Sequence, residues 1–183
     1  MIISPETALR EITAFQPNGD DLSAKSQDLV SGLLDYSENP FSRHQFTPGH
    51  ITCTALVLHP SERAVLLMYH HRLNRWLLPG GHVEPDDLSL RHAAAREAME
   101  ETHVQLGEIS HSFLAGIDVH GIPRRTNEPY HLHHDLLWAF RASSDWIETT
   151  EEAPRVTWAK EDVWKAHNLS ENICRAARRT FEA

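Results

Sequence analysis

The feature that most constrains this chain is a glycine-rich turn at residues 79–81, followed by an acidic segment that ends near Val104. Glycine lets the backbone approach a ligand or a neighbouring strand closely. The acidic segment predicts a helix that begins near Asp87 or Ser89 and ends near Thr102. We expect Asp87 to cap it, because a side-chain oxygen there can accept from the free amides of the first turn. The fold must therefore hold a tight turn next to a helix.

The acids of this helix share one face. At about 100° per residue, Glu97, Glu100 and Glu101 fall together, and Leu88 and Met99 fall on the other side. Three like charges repel one another, and a cation lying among them would reverse that effect. Carboxylate oxygens are ligands that suit Mg²⁺ or Mn²⁺. A solvated acidic face without a metal is the simpler alternative.

These residues carry a resemblance. The stretch from residue 77 to residue 104 resembles the signature of the Nudix hydrolases, which opens on a glycine matched by Gly81. The Arg-Glu pair of the signature matches Arg96 and Glu97, and its acidic pair matches Glu100 and Glu101. The likeness extends from about residue 49 to residue 164, which is most of the chain.

Three departures from the signature stand out. The spacing between Gly81 and Arg96 is one residue longer than usual, and Asp87 stands where the family has its first Glu. His103 replaces the glycine that usually ends the helix. A left-handed conformation costs His more than Gly, which favours a different helix exit. None of the three removes a metal-binding carboxylate.

The resemblance implies both a fold and a reaction. The fold is of the α/β (α+β) class, a three-layer α/β/α sandwich around a mixed β-sheet. The reaction is divalent-metal-dependent hydrolysis of a pyrophosphate bond in a nucleoside diphosphate linked to another moiety. A non-catalytic Nudix-like regulator that binds a nucleotide or ADP-ribose is the alternative.

The resemblance also implies roles for single residues. Mg²⁺ or Mn²⁺ would be held by four groups: Glu97, Glu100, Glu101 and the Gly80 carbonyl. Glu97 is the first choice for the general base, and Glu152, in an acidic loop before a Trp-containing strand, is the other choice. Arg96 would orient Glu100, or another acid of the signature, through a bidentate contact.

Two further groups of residues are candidates for binding substrate. Arg124 and Arg125 lie in a polar loop, where guanidinium groups can bind phosphate or simply face solvent. His131, His133 and Asp135 share one face of the strand predicted for residues 130–141. We favour a polar face that lines the cleft or faces solvent, with His133 and Asp135 as the candidates for contact with substrate. The alternative is a separate zinc or iron site made by all three.

Charge and hydropathy limit the partners and the location. The net charge is −9, from 26 acidic and 17 basic residues, so little basic surface is left for a nucleic-acid polymer. A small nucleotide derivative bound through metals remains compatible. Apolar runs are too short to span a membrane, and the start of the chain lacks a signal pattern, so we expect a cytoplasmic protein. Cys53 and Cys174 are expected to be buried free thiols.

We divide the chain into a helical extension, residues 1–48, and a Nudix hydrolase domain, residues 49–183. Pro5 opens one predicted helix of the extension. A second is predicted near residues 21–35, and its apolar stripe contains Leu22, Leu29, Leu33 and the Val30/Leu34 pair. We favour a packing appendage or a homodimer contact for the extension over a role in gating substrate.

Overall fold

The computed structural model describes residues 3–182, in which seven strands form one mixed sheet with helices on both faces. The strands are β1 (Gly49–Leu58), β2 (Ala64–His70), β3 (Arg75–Leu77), β4 (Gly80–His82), β5 (Phe113–Ile122), β6 (His131–Arg141) and β7 (Val156–Lys160). The helices are α1 (Pro5–Ala14), α2 (Asp21–Tyr36), α3 (Leu90–Thr102), α4 (Glu161–Trp164) and α5 (Glu171–Glu182).

Strand β1 organises the sheet. The strand order is β3-β2-β1-β6-β5, with β4 also paired to β1 and β7 to β2. The β1–β6 pair is parallel and the other pairs are antiparallel. Because β1 pairs with both β4 and β6, it brings the glycine-rich turn beside the strand that carries the polar His and Asp residues.

The two faces of β1 belong to different cores. Ile51, Cys53 and Ala55 pack with residues of α1, α2 and α3, whereas Leu56 and Leu58 pack with residues of α4 and α5. This alternation follows from the two-residue period of a strand. The predicted α/β/α sandwich around a mixed sheet is confirmed. The prediction that Cys53 and Cys174 are buried free thiols is also confirmed.

The N-terminal helices begin as the sequence predicts, but the predicted apolar stripe of α2 is confirmed only in part. Leu22 and Leu29 are 63% and 53% exposed, while Val30, Leu33 and Leu34 are buried. The predicted stripe was too wide, because Leu22 and Leu29 lie about 100° around the helix from the buried positions that follow them. Both helices join the core that holds α3. The boundary at residue 48 and the homodimer contact remain predictions.

Two other features complete the description. Residues Ile109–His111 form a 3₁₀ turn, and β5 starts after it at Phe113. Within residues 3–182, none of the helices has the length and hydropathy needed to cross a membrane.

Candidate active site

Helix α3 starts at a different cap from the predicted one. Ser89 is the N-cap, and its side chain accepts a hydrogen bond from the amide of His92. Asp87 does not cap the helix, since its carboxylate accepts a hydrogen bond from the Glu84 amide at 2.8 Å. At the other end, His103 adopts the left-handed conformation with φ 53°. The helix therefore ends in the conformation that glycine would adopt, and the expected difference in the helix exit is not seen. The left-handed conformation costs more free energy for His than for Gly.

The face of α3 that packs on the sheet is made of small residues. Leu88 and Met99 are 60% and 40% exposed, whereas Ala94 and Ala98 are fully buried and Glu101 is 8% exposed. The helix packs through its alanines, which allow a close approach to the sheet. Glu101 therefore lies on the packed side of α3, where the sequence pattern predicted an open acidic face.

The glycine-rich turn fits against this side of α3. The Gly80 amide donates a hydrogen bond to Glu101 Oε2 at 3.0 Å. A Cβ on Gly80 would lie 2.8 Å from the Cys53 carbonyl oxygen, and one on Gly81 would lie 2.5 Å from Glu97 Oε1. Both distances are too short for a side chain, so glycine at these positions permits the contact of turn, strand and helix.

Arg96 connects the acids to the turn. Its Nε and Nη2 atoms each donate to Asp87 at 3.0 Å, and Nη2 also donates to the His82 carbonyl at 2.9 Å. Nη1 donates to Glu97 at 2.9 Å and to Glu100 at 3.2 Å. The bidentate partner is therefore Asp87, the acid that stands where the signature has its first Glu, while Glu100 accepts a single hydrogen bond. Asp87 holds the guanidinium so that one nitrogen reaches both acids of the helix.

Burial leaves negative charge at this site incompletely compensated. Burial raises the pKa of Glu101 to about 8, the Gly80 amide lowers it, and Glu97, Glu152 and Glu100 add to the rise. Burial likewise raises the pKa of Glu97, against the lowering effect of Arg96. Such carboxylates favour a cation beside them. Since the donors are all oxygens, the set fits a hard divalent ion such as Mg²⁺ or Mn²⁺.

The loop that carries Glu152 lies at the end of α3. Thr150 Oγ1 donates to the Glu101 carbonyl at 3.1 Å, and the Glu152 carbonyl accepts from the His71 amide at 3.3 Å. The Glu152 side chain is 67% exposed and pairs with Arg72 at 3.6 Å. Its charge reaches Glu101, as the pKa of that residue shows.

Comparison with protein families identifies the family to which the chain belongs. A family model described as the NUDIX domain matches residues 49–172. The chain belongs to the Nudix family. The predicted class of enzyme, a Nudix-type pyrophosphohydrolase, is confirmed by this membership.

Solved Nudix structures share the fold. A NUDIX-family hydrolase from Clostridium perfringens is 22% identical, with a TM-score of 0.53 over 77% of this chain and 97% of that one. The NUDIX domain of Shewanella oneidensis NrtR, solved with ADP ribose, is 18% identical, with a TM-score of 0.52 over 72% and 86%. The E. coli dihydroneopterin triphosphate pyrophosphohydrolase is 15% identical, with a TM-score of 0.51 over 73% and 96%. No curated protein matches the chain.

The predicted substrate-binding residues of this Nudix protein lie in two places. Arg124 and Arg125 are exposed in the loop between β5 and β6, which the Arg125 amide helps to close by donating to the Glu128 carbonyl at 2.8 Å. Neither arginine forms an ion pair with α3 in the described part of the chain. Asp135 accepts from Thr52 at 2.9 Å and from Thr54 at 2.8 Å, so its carboxylate is held within the sheet.

His133 lies in a cluster that sequence reasoning missed. Its ring centroid is 4.9 Å from that of His50 and 5.5 Å from that of His82. His131 stacks on His50 at 5.1 Å. Within residues 3–182, His131, His133 and Asp135 do not lie together as a metal-binding group, which argues against the alternative of a zinc or iron site made by all three. The signal that finds the cluster is strand pairing, because β1 places His50 opposite His133 and Thr52 opposite His82.

Proposed function

We propose that this Nudix protein hydrolyses a pyrophosphate bond in a nucleoside diphosphate linked to another moiety, and that it depends on Mg²⁺ or Mn²⁺. The observation that carries the proposal is the contact of Glu97 and Glu101 with the turn at Gly80 and Gly81. Burial raises the pKa of both acids there, because little water solvates their negative charge. A divalent ion beside them would stabilise that charge.

The metal-binding set we propose is made of oxygen donors. It consists of the carboxylates of Glu97, Glu100 and Glu101 and the Gly80 carbonyl. When bound, divalent ions neutralise a diphosphate and lower the pKa of a bound water. Arg96, which donates to Glu97 and Glu100, fixes the direction of those carboxylates before substrate arrives. Such positioning supplies much of the rate in phosphoryl transfer.

Two acids are proposed for the general base. Glu97 is our first choice, since burial raises its pKa and so improves its affinity for the proton of an attacking water. Glu152 is the other choice, because its charge adds to the rise in the pKa of Glu101 while its side chain is 67% exposed and accessible to water. The pH dependence of kcat in Glu97→Gln and Glu152→Gln separates them, because loss of the base removes the acidic limb of the profile.

The substrate class rests on charge and on what similar structures contain. The Shewanella oneidensis NUDIX domain was solved with ADP ribose, which is a nucleoside diphosphate linked to a sugar. We propose a ligand of this class here, with Arg124 and Arg125 binding phosphate and with His133 and Asp135 close to the substrate. Arg125 is near enough to His70 to add to the lowering of its pKa, behind burial and Arg72.

The same bound ligand keeps a second candidate open, a domain that binds such a compound without turnover. Glu97, Glu100 and Glu101 argue against it, because a pure binding site gains nothing from three acids that repel one another. The decisive measurement is a hydrolysis panel of ADP-ribose, dinucleoside polyphosphates, oxidised nucleotides and NADH, run with Mg²⁺ and with Mn²⁺. Binding with no turnover of any compound would favour the second candidate.

Variants connect the activity to the helix. We expect Glu100→Gln and Glu101→Gln to lower kcat/KM by about 100-fold or more, the scale on which transition-state charge stabilisation is lost. Glu108→Gln is the control, because Glu108 is an exposed acid outside α3 whose side chain pairs with His111 at 3.5 Å. Equal turnover by all four proteins would remove the acidic helix from the mechanism.

A further inference from the structure

Three histidines from three strands meet beside the acidic site. His50 is near the start of β1, His82 is the last residue of β4 and His133 lies in β6. Each offers one possible ligand atom, and these atoms lie within 4.8 Å of one another. The acids of α3 are not part of this group.

His50 is an unusual member because one of its nitrogens is buried without a partner. The residue is 1% exposed, and its Nδ1 atom lies 3.1 Å from the Gln45 carbonyl oxygen. A carbonyl only accepts, so Nδ1 carries the hydrogen and Nε2 carries the lone pair. Among the residues described, Nε2 has no hydrogen-bond partner. A buried polar atom left in this way costs free energy unless something binds it.

This tautomer is the one that metal-binding histidines use. In metal sites, one ring nitrogen donates to a carbonyl or a carboxylate, and the other nitrogen faces the ion. The other two rings are also available, since burial lowers the pKa of His82 to about 4 and that of His133 to about 2. Neutral imidazoles are the form that binds a metal.

We infer that His50, His82 and His133 form a zinc site, separate from the site of the acidic helix. Three imidazoles with a fourth position left open is a known arrangement for Zn²⁺, whereas Mg²⁺ prefers oxygen donors. With Zn–N bonds of about 2.0–2.1 Å, tetrahedral ligand nitrogens lie about 3.3 Å apart. Closing from 4.8 Å to that separation moves each nitrogen by less than about 1 Å.

Other histidines surround the three without joining them. His131 stacks on His50, but its Nδ1 is 2.8 Å from the Pro129 carbonyl. His120 lies 5.7 Å from His133 between ring centroids, and its Nδ1 contacts Asp118 at 2.9 Å. His131 is 3% exposed and packs against the cluster, whereas the His120 side chain is 44% exposed. His120 is therefore a matched control, because it is a nearby histidine with a different partner.

The zinc site contacts the acidic site through one residue. The His82 carbonyl accepts from Arg96 at 2.9 Å, and Arg96 donates to Glu97 and Glu100. Zinc on the His82 ring would fix the end of β4 and so the carbonyl that holds Arg96. The inference does not depend on hydrolysis, because zinc binding is measured without substrate.

The test is a zinc titration of the metal-free full chain against a chromogenic chelator. We expect one tightly bound zinc ion per chain. His82→Gln and His133→Gln should bind zinc more than about 100-fold more weakly, a larger loss than removing a residue that only hydrogen-bonds to a ligand would cause. His120→Gln and Glu100→Gln should retain the affinity of the unmodified chain. Far-ultraviolet circular dichroism checks that each variant is folded.

A second measurement needs no variant. Co²⁺ replacing zinc should give the intense visible absorption of a four-coordinate site, and excess Zn²⁺ should abolish it. Equal zinc binding in His82→Gln and His133→Gln, or weak Co²⁺ absorption typical of six oxygen ligands, would overturn the inference. Loss of zinc binding in Glu100→Gln would also overturn it by moving the ion to the acidic helix.

Discussion

Glu101 accepts a hydrogen bond from the Gly80 amide at 3.0 Å, although the two residues are 21 positions apart. This contact joins the helix that carries the acids to the turn that approaches them. It also opposes the rise in the pKa of Glu101 that burial causes. Because the donor is a backbone amide, the contact depends on how closely the turn can approach, and therefore on its glycines.

The two glycines of the turn should respond differently to alanine. In Gly80→Ala the new Cβ would lie 2.8 Å from the backbone at both Cys53 and Thr54, which cannot yield easily. We expect the free energy of unfolding to fall by about 1–3 kcal/mol, as overpacking generally costs. In Gly81→Ala the Cβ meets the carboxylate of Glu97 at 2.5 Å, and a side-chain end can move. That variant should lose less stability and more activity.

Urea unfolding and kcat/KM, measured on both variants, check this pair. The expected pattern is a stability loss that is larger in Gly80→Ala and a relative loss of activity, at a temperature where both are folded, that is larger in Gly81→Ala. Full activity of Gly81→Ala would contradict a role for the position of Glu97.

Asp87 should matter for stability as the partner of Arg96. The carboxylate is 5% exposed and receives two hydrogen bonds at 3.0 Å from the guanidinium. Asp87→Ala should lower the free energy of unfolding by about 2 kcal/mol, as expected for hydrogen bonds to a charged group. Asp86→Ala, which removes the exposed neighbouring acid, should stay within about 0.5 kcal/mol of the unmodified chain. Chemical denaturation of the two variants measures the difference.

Ser89 should behave as the cap of α3. Its side chain accepts from the His92 amide at 3.3 Å, and Ser89→Ala removes that acceptor. We expect a loss of about 1 kcal/mol in the free energy of unfolding. Ser110→Ala serves as the control, because Ser110 is an exposed serine that does not cap an α-helix. Similar losses from both changes would show that the cap contributes nothing measurable.

How far the sequence predicts this site can be seen in α3. Its spacing correctly predicts that Glu97 and Glu101 lie together, and the resemblance predicts the family. Periodicity tells which residues share a face, but not which face packs on the sheet. Met99, on the apolar side of the helix, is 40% exposed, whereas Ala94 and Ala98 are fully buried. Their small side chains allow the helix to approach the sheet closely.

The histidine cluster lay outside the reach of sequence reasoning for a different reason. His50, His82 and His133 are separated by 32 and 51 positions, so spacing along the chain links none of them. They meet because β1 pairs with both β4 and β6. Those pairings are long-range, and their register is set by the packing of the whole sheet. Only His133 was identified from the sequence, from the alternation of its own strand.

The buried histidines also predict how the metal-free protein responds to acid. Burial lowers the pKa of His82 to about 4 and that of His133 to about 2, while unfolded histidine titrates near pH 6.5. Below about pH 6.5 these two histidines bind protons in the unfolded chain but not in the folded one, so they make the free energy of unfolding fall as the pH decreases. The loss is complete for each group below its folded pKa. Glu101 acts in the opposite direction, because burial raises its pKa to about 8. Urea denaturation from pH 7.5 to 4 isolates the contribution of His133 as a difference between variants. Relative to the unmodified chain, His133→Gln should gain stability as the pH falls, whereas His111→Gln, at an exposed histidine, should follow the unmodified profile. A profile as steep in His133→Gln as in the unmodified chain would contradict this account.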